Sequence, residues 1–264
     1  MKKKFKIGFW GAGKMAEGIL SAIPVKKGIV MAETCAARAE EMRQKYGVKV
    51  VSDVAEVAKS CEIVFLAVRP QNVEEVAAAV KGKLGENVTI VSIVAGKTIG
   101  KLRAAFGRKT RVVRVMPNLA LRARAGMCAM CPAANVEADV VETVREILQG
   151  AGEVAILKEK DFDAVTALSG SGPAYFAYME EAMMEGGITL GLKPAVARLL
   201  AEQTMYGTAK FLRESGADLR AFISGVCTKG GTTAAGMTKL VNPKFKKIVA
   251  ETLAAAAARS RELA

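Results

Sequence analysis

A glycine-rich turn near the start of the chain limits the possible folds more than any other feature. The apolar segment 5–10, Phe-Lys-Ile-Gly-Phe-Trp, resembles a β-strand, and Gly-Ala-Gly-Lys-Met-Ala follows it at residues 11–16. A helical pattern then continues to about Ile23. Gly-x-Gly-x-x-Ala between a strand and a helix is typical of dinucleotide binding. The glycines permit a tight turn and a close approach of pyrophosphate, which then lies on the helix N-terminus. The chain is therefore predicted to begin with a dinucleotide-binding fold.

The end of the second predicted strand bears on the choice of dinucleotide. This strand covers residues 28–32, and Glu33 follows it, 33 − 13 = 20 positions after Gly13. An acid at this point typically binds the ribose 2′-hydroxyl of NAD. Thr34 and Arg38 lie just beyond and could instead hold the 2′-phosphate of NADP. The further alternative for Glu33 is a solvated loop acid without a ligand, so NAD and NADP both stay open.

Strand and helix patterns alternate through the first part of the chain. Strands are predicted at 48–51, 62–68, 88–94, 110–116, 126–132 and 153–157, and helices at 36–46, 53–59, 73–80, 99–106 and 137–149. This alternation predicts an α/β fold, namely an N-terminal Rossmann-like doubly wound parallel sheet over residues 1–158. The strands that end at Arg69-Pro70, at Ala95-Gly96 and before Asn118 bring these turns to the carboxyl edge, where open sheets bind ligands.

Strand patterns end after Asp161, and the rest of the chain is predicted to be helical. Helices are expected at 161–168, 173–190, 194–214, 218–225 and 242–263. A bundle of this size, rich in Ala and Met, is expected to need a partner subunit to bury its apolar surface. We therefore predict a C-terminal all-helical substrate-binding and dimerisation domain over residues 159–264.

Two small-residue turns in this helical part are predicted to contact the substrate. Ser-Gly-Ser-Gly-Pro at 169–173 is expected to form a tight turn at a helix N-terminus, where free N–H groups give a partly positive site. Thr-Lys-Gly-Gly-Thr-Thr at 228–233 combines two glycines with three hydroxyls at another helix start, which suits a carboxylate. The alternative for the second turn is a simple helix cap.

The composition excludes several classes of function. The 264 residues include no His, which removes any Ser–His or Cys–His catalytic pair. The five cysteines are scattered, and Cys128 and Cys131 are expected on opposite faces of a strand, so neither a metal site nor a disulfide framework is predicted. The net charge of +13 is dispersed without interleaved aromatic residues, so nucleic acid is not expected as a partner.

Targeting and membrane segments are not expected either. No run of about eighteen apolar residues is present that could span a membrane. The basic residues Lys2–Lys4 precede only a short apolar stretch without a cleavage segment, so no signal peptide is predicted.

With these segments in view, the chain resembles the pyrroline-5-carboxylate reductase family over nearly its whole length. The resemblance is carried by IGFWGAGKMAEGI, FLAVRPQNV, VSIVAG, RVMPN, DAVTALSGSGPAYFAYMEEAM and the late GGTT. It implies a cytoplasmic enzyme that reduces L-1-pyrroline-5-carboxylate to L-proline with NADPH or NADH, the last step of proline biosynthesis. It also implies a homodimer formed through the C-terminal helices, which can assemble further.

The resemblance assigns roles to individual residues. It places Gly8, Gly11, Ala12, Gly13, Lys14 and Met15 at the pyrophosphate, and Ala67, Val68, Arg69, Pro70, Ala95 and Gly96 beside the nicotinamide. From their positions at the ends of predicted strands, Glu33, Thr34 and Asn118 complete the predicted cofactor-binding residues. Thr166 is the predicted catalytic residue, near the ring nitrogen. The predicted substrate-binding residues are Ser169, Thr228, Gly230, Gly231, Thr232 and Thr233. Hydride would reach the imine carbon, and the nitrogen would take its proton from Thr166 or from water.

The chain also departs from the usual pattern of the family. Lys229 replaces a proline, Arg69 replaces a lysine, Leu119-Ala120 replaces Thr-Pro, and an aspartate usual near Ser224 is missing. One alternative is a paralogous imine or hydroxy-acid reductase, although the lysine on which hydroxy-acid enzymes rely is absent from 161–190. The other is a non-catalytic dinucleotide-sensing protein, which would have no need for the turn at 228–233.

Overall fold

The computed structural model describes residues 5–263, so the basic residues Lys2–Lys4 lie outside the described part. Its centre is an eight-stranded sheet in the order β3-β2-β1-β4-β5-β6-β7-β8. The strands are β1 Ile7–Trp10, β2 Val30–Ala32, β3 Lys49–Val51, β4 Ile63–Leu66, β5 Thr89–Ser92, β6 Arg111–Pro117, β7 Gly126–Pro132 and β8 Gly152–Ile156. The order reverses between β1 and β4, and such a switch point opens a crevice at the carboxyl ends of the strands.

Twelve α-helices are found between residues 5 and 263. They are α1 Lys14–Ala22, α2 Ala36–Tyr46, α3 Val54–Ser60, α4 Val73–Ala79, α5 Ile99–Phe106, α6 Ala138–Gln149, α7 Phe162–Val165, α8 Gly172–Thr189, α9 Pro194–Ser215, α10 Leu219–Val226, α11 Thr232–Leu240 and α12 Pro243–Leu263. Local sequence explains several of their ends. Asp53 caps α3 and Thr98 caps α5 through their side chains, while Gly47 ends α2 in the left-handed conformation. The predicted α/β sheet followed by helices is confirmed.

Both faces of the sheet are buried. Along β1, Phe9 points to one face and stacks on Phe65, with ring centroids 4.9 Å apart. Trp10 points to the other face and stacks on Phe106 at 5.6 Å. All four strand residues of β4 are buried, as expected for a parallel strand covered by helices on both sides.

The predicted parallel sheet is confirmed except at one pair of strands. Strands β1 to β6 pair in parallel, but β7 runs antiparallel to β6. Only residues 118–125 connect these two strands, and a parallel crossover needs about a dozen residues or more. Asn118 closes the reversal, because its side-chain oxygen accepts from the N–H of Met127 at 3.1 Å. Strand β8 then pairs in parallel with β7.

The chain divides into two compact units at a later point than the boundary predicted after residue 158. One unit extends to Ser171 and includes the residues from Ala256 onward, while the other covers Gly172–Ala255. Residues 159–171 belong with the sheet because Arg114 of β6 forms an ion pair with Glu159 at 3.0 Å. The Arg114 guanidinium also lies over the ring of Phe162, 4.6 Å from its centroid.

The second unit is made of α8 to α11 and the first part of α12, and it has little core of its own. Between residues 172 and 255 the buried residues are Gly172, Ala197 and Ala201. Large apolar side chains such as Phe176 and Leu199 are each 65% exposed. Within residues 5–263, no helix combines the length and the apolar character needed to cross a bilayer.

Candidate active site

A cleft of about 440 Å³ opens at the carboxyl ends of β1, β2 and β4. Its lining comes from the glycine-rich turn, from the ends of β2 and β4, and from the start of α4. The lining residues are Gly11, Ala12, Gly13, Ala32, Glu33, Thr34, Ala67, Val68, Arg69, Asn72, Glu75, Val76 and Ala79. The structure thus brings together eight of the predicted cofactor-binding residues in one cleft at the topological switch point.

The two glycines of the turn serve different purposes. Gly11 has a φ of +92°, and a Cβ added there would lie 2.7 Å from the carbonyl oxygen of Ala67. Any side chain would therefore be strained and crowded. Gly13 caps α1 with an extended backbone, and a Cβ added there would meet nothing within 4 Å. Gly13 thus leaves open space before the N–H groups that begin α1, which fits a bound pyrophosphate.

Side chains hold the peptide groups of Ala12 from two sides. The N–H of Ala12 donates to the carboxylate of Glu33 at 3.0 Å. Its carbonyl oxygen accepts from Nε of Arg38 at 2.7 Å. The other oxygen of Glu33 accepts from the N–H of Cys35 at 2.9 Å. The turn and the end of β2 are thereby fixed relative to each other.

Besides the glycine-rich turn, Arg38 also binds acidic side chains of α1 and α2. Its guanidinium forms ion pairs with Glu17 at 2.7 Å and with Glu41 at 2.6 Å. Lys45 and Tyr46 also donate to the Glu17 carboxylate. Burial alone would raise the pKa of Glu17, but the hydrogen bonds from Lys45, Arg38 and Tyr46 outweigh it and lower the pKa to about 2. Arg38, the predicted alternative ligand for a 2′-phosphate, is therefore occupied by protein groups.

The predicted Ser/Gly turn is mostly helical. Thr166–Gly170 forms one π-helical turn after α7, closed by a hydrogen bond from the Ser171 N–H to the Thr166 carbonyl at 2.8 Å. This hydrogen bond spans five residues instead of the four of an α-helix, so the turn is wider. Such π turns are frequent at functional sites. Gly170 allows the turn to pack on Met116 near the end of β6, since an added Cβ would lie 2.6 Å from its methyl carbon.

Two hydroxyls of this π turn differ in their hydrogen bonding. The Thr166 hydroxyl donates to the carbonyl oxygen of Phe162 at 2.7 Å. The Ser169 hydroxyl oxygen is buried and has no hydrogen-bond partner among the described residues. A buried polar atom without a partner is costly and calls for an explanation such as a ligand.

The last turn of α12 belongs to the unit that contains the sheet, and it packs against Gly96, a predicted nicotinamide contact. Gly96 has a φ of +73°, and a Cβ added there would lie 2.7 Å from the carbonyl oxygen of Leu263. Ser260, which is buried, donates to the carboxylate of Asp163 at 2.7 Å. Sequence reasoning missed this contact, because an alanine-rich helix gives no signal of where its end packs.

The Gly/Thr turn of the second unit has the predicted local form. The Gly231 N–H donates to the Thr228 carbonyl at 2.9 Å, and α11 begins at the next residue. Gly230 has a φ of +75°, and a Cβ on Gly231 would overlap the Thr228 hydroxyl. Thr232 and Thr233 occupy the exposed first positions of α11. Gly230 is therefore favoured by the left-handed backbone, and Gly231 leaves room for the Thr228 hydroxyl.

Several predicted cofactor contacts lie away from the cleft lining. Gly8 lies inside β1, which is hydrogen-bonded to β2 on one side and to β4 on the other. Its lack of a side chain makes room for Val57 and Cys61. The side-chain oxygen of Asn118 is bound by Met127. Of the remaining residues, Lys14 and Met15 begin α1, Pro70 begins a short 3-10 turn after β4, and Ala95 and Gly96 lie after β5.

The cysteines have no geometry for metal binding or redox chemistry within the described residues. Cys128 is buried and Cys131 is half-buried on β7, and no cysteine in residues 5–263 forms a disulfide. Burial raises the pKa of the Cys128 thiol to about 11. In the same part of the chain, no group of three or more His, Cys, Asp or Glu side chains could hold a metal ion.

Two family profiles match the chain. Residues 159–263 match the profile described as "Pyrroline-5-carboxylate reductase dimerisation". Residues 6–96 match the profile described as "NADP oxidoreductase coenzyme F420-dependent". The helical part therefore belongs to a class of domains that form homo-oligomers, and the first part belongs to the nicotinamide dinucleotide oxidoreductases.

Curated relatives and solved structures match over nearly the whole length. The pyrroline-5-carboxylate reductase of Arabidopsis thaliana is 35% identical, covering 99% of this chain and 96% of the relative. The solved reductase of Coxiella burnetii aligns with a TM-score of 0.95 at 29% identity, covering 99% of each chain. That of Plasmodium falciparum, solved with NADP bound, gives 0.87 at 28% identity and covers 100% of this chain and 99% of the other. The reductase of Synechocystis is 35% identical over 263 residues, 98% of each sequence, and on this evidence the chain belongs to the pyrroline-5-carboxylate reductase family.

Proposed function

We infer that this protein reduces L-1-pyrroline-5-carboxylate to L-proline with NADPH or NADH, the last step of proline biosynthesis. The family membership supports the reaction. One structural observation supports a substrate site in this protein. The π turn Thr166–Gly170 packs near the end of β6, and the buried Ser169 hydroxyl in it has no hydrogen-bond partner among the described residues. A small polar substrate would give this hydroxyl its missing hydrogen bond.

The cleft at β1, β2 and β4 fits the dinucleotide. Gly11 and Gly13 let the backbone approach a pyrophosphate, and the N-terminus of α1 attracts its charge. When bound, the reduced nicotinamide supplies the hydride that the imine carbon receives. We assign Gly11–Gly13, Glu33, Thr34 and Ala67–Arg69 to this cofactor site because they line the cleft together.

Thr166 is proposed to contact the imine nitrogen as a hydrogen-bond acceptor. Its proton is already directed to the Phe162 carbonyl at 2.7 Å, so its oxygen presents lone pairs to a ligand. An acceptor at this place favours the protonated imine, which is the electrophilic form. Of the two proton sources considered, this hydrogen bond therefore favours water over Thr166. The chain contributes mainly position, a contribution that can reach about 7–11 kcal/mol in well-oriented reactions.

The carboxylate of the substrate is proposed to bind at the turn of residues 228–233. The turn combines the N-terminus of α11 with three exposed hydroxyls, from Thr228, Thr232 and Thr233. Charge-assisted hydrogen bonds of this kind contribute about 1.5–3 kcal/mol each. The exposed Lys229 adds a positive charge to the same turn.

A homodimer formed through the C-terminal helices is proposed as the working unit, in the cytoplasm. The support is the scarcity of buried residues between 172 and 255, together with many exposed apolar side chains in α8 and α9. Such a surface is expected to be covered by a second copy. Sedimentation equilibrium should give at least twice the mass of one chain, and a monomer at micromolar concentration would refute this assembly.

The activity is tested by following the oxidation of NADH and NADPH at about 340 nm, with and without the cyclic imine. Oxidation that depends on the imine and yields proline is expected. A purified, folded protein that oxidises neither cofactor with this substrate would refute the assignment.

A further inference from the structure

Glu33 lies at the point of the cleft where the two dinucleotides would differ. It follows β2 directly, and a group at this position faces the adenosine ribose in dinucleotide-binding folds. NADPH carries a phosphate at the ribose 2′-position, whereas NADH carries a hydroxyl there. A carboxylate accepts a hydrogen bond from a hydroxyl, but it repels a phosphate.

The carboxylate of Glu33 is held in place. One oxygen accepts from the Ala12 N–H at 3.0 Å and the other accepts from the Cys35 N–H at 2.9 Å. Turning the side chain away from a phosphate would break both bonds and leave two backbone donors to be satisfied elsewhere. The negative charge therefore remains at the end of β2 when a ligand enters.

The nearby arginines are engaged by other groups. Arg38 is bound to the Ala12 carbonyl, to Glu17 and to Glu41, with distances between 2.6 and 2.7 Å. Arg43, in the adjoining cavity beyond Thr34, donates to Glu40 and to the Val50 carbonyl. These acceptors take three of the five N–H donors of Arg38 and two of those of Arg43, and they hold both guanidinium groups in place.

The remaining charges of the cleft do not favour the 2′-phosphate of NADPH. Its lining carries two acids, Glu33 and Glu75, and one base, Arg69, which follows β4 rather than β2. We propose that this enzyme selects NADH over NADPH, with Glu33 as the residue that excludes the 2′-phosphate and Arg38 as a positioning residue that anchors the glycine-rich turn. This inference rests on the proposed dinucleotide site.

The test is a fluorescence titration of the full-length enzyme with NADH and with NADPH in the absence of imine. The wild-type protein should bind NADH at least about tenfold more tightly, because the fixed carboxylate of Glu33 repels the 2′-phosphate of NADPH. Glu33→Gln should reduce this ratio at least about fivefold, mainly by tightening NADPH binding. Glu75→Gln removes a charge from the other wall and is the matched control, which should change the ratio less.

Arg38→Gln separates anchoring from phosphate binding. It should weaken NADH and NADPH binding by the same factor, with circular dichroism confirming that the variant is folded. A loss confined to NADPH would make Arg38 a phosphate ligand and would overturn the proposal.

Equal or tighter binding of NADPH by the wild type, or an unchanged ratio in Glu33→Gln, would also overturn it while leaving the reductase assignment intact. Binding of neither cofactor would refute the dinucleotide site itself, and the preference with it.

Discussion

The hydroxyl of Thr166 donates to the carbonyl oxygen of Phe162 at 2.7 Å. This bond orients the side chain on the π turn and directs its proton away from any ligand. A hydroxyl held in this way can accept a hydrogen bond from a protonated imine without itself giving up a proton. A chain without histidine can work with such a group, because the protonated imine needs no strong acid.

Replacing Thr166 by valine keeps the shape of the side chain and removes its oxygen. We expect kcat to fall about 10- to 150-fold, since a hydrogen bond to a charged group contributes about 1.5–3 kcal/mol. The affinity for NADH, measured by fluorescence, should change little. Thr166→Ser retains the hydroxyl and should keep most of the activity. If kcat is unchanged in the valine variant, Thr166 has no part in the reaction.

Replacing Ser169 by alanine separates stability from binding. The buried hydroxyl has no partner among the described residues, so its loss should not lower the free energy of unfolding and is expected to raise it, by up to about 1–3 kcal/mol. The KM for the imine should rise about three- to tenfold if the substrate supplies the missing hydrogen bond. Denaturant unfolding and steady-state kinetics measure the two effects. A marked loss of stability with unchanged KM would assign Ser169 a structural role.

The two glycines of the nucleotide turn form a matched pair. Gly11→Ala should lower both stability and dinucleotide affinity, because Gly11 has a φ of +92° and its added Cβ would lie 2.7 Å from the Ala67 carbonyl. Gly13→Ala should leave the melting temperature unchanged, since its Cβ would meet nothing in the free protein. It should still weaken dinucleotide binding by obstructing the pyrophosphate. Undiminished NADH binding by Gly13→Ala would argue against this cleft as the pyrophosphate site.

Glu17 should make the stability depend on pH in acid. Its pKa is lowered from 4.5 to about 2, so its ion pairs stabilise the fold fully above pH 4.5 and are lost as the pH falls towards 2. Glu17→Gln should cost about 3 kcal/mol at pH 7 and flatten the acid limb of the stability curve. Glu40→Gln is the control: hydrogen bonds from Gln44 and Arg43 also lower the pKa of Glu40, but this carboxylate is exposed on α2, so solvent screens its contacts and the variant should stay close to wild type. If the free energy of unfolding falls equally steeply with decreasing pH in Glu17→Gln and in the wild type, this account is contradicted.

Local signals in the sequence predicted much of the fold. Helix α2 and helix α5 begin and end at the predicted residues, because caps such as Thr98 and the glycine after Tyr46 mark their ends. Periodicity says which residues share a face of an element, but it does not give the direction of a strand. The antiparallel pairing of β7 was missed for this reason, although the short 118–125 connection carried the signal.

The site was less predictable because its details depend on contacts between distant residues. The glycines of the turn were identified from a local motif, and they lie in the cleft as expected. The hydrogen bond from Arg38 to Ala12 joins residues 38 − 12 = 26 positions apart, and no local pattern indicates it. A helix was predicted at 161–168 and a tight turn at 169–173, so the π-helical form of Thr166–Gly170, which crosses that boundary, became visible only in the structure.

Transfer of deuterium from the cofactor to the product tests the central claim most directly. The enzyme would be given L-1-pyrroline-5-carboxylate with NADH deuterated at either face of nicotinamide carbon 4, and the proline analysed by mass spectrometry and NMR. We predict that one of the two labelled cofactors places a single deuterium on carbon 5 of proline, the former imine carbon. Proline without deuterium from either cofactor, or no proline at all, would contradict the account.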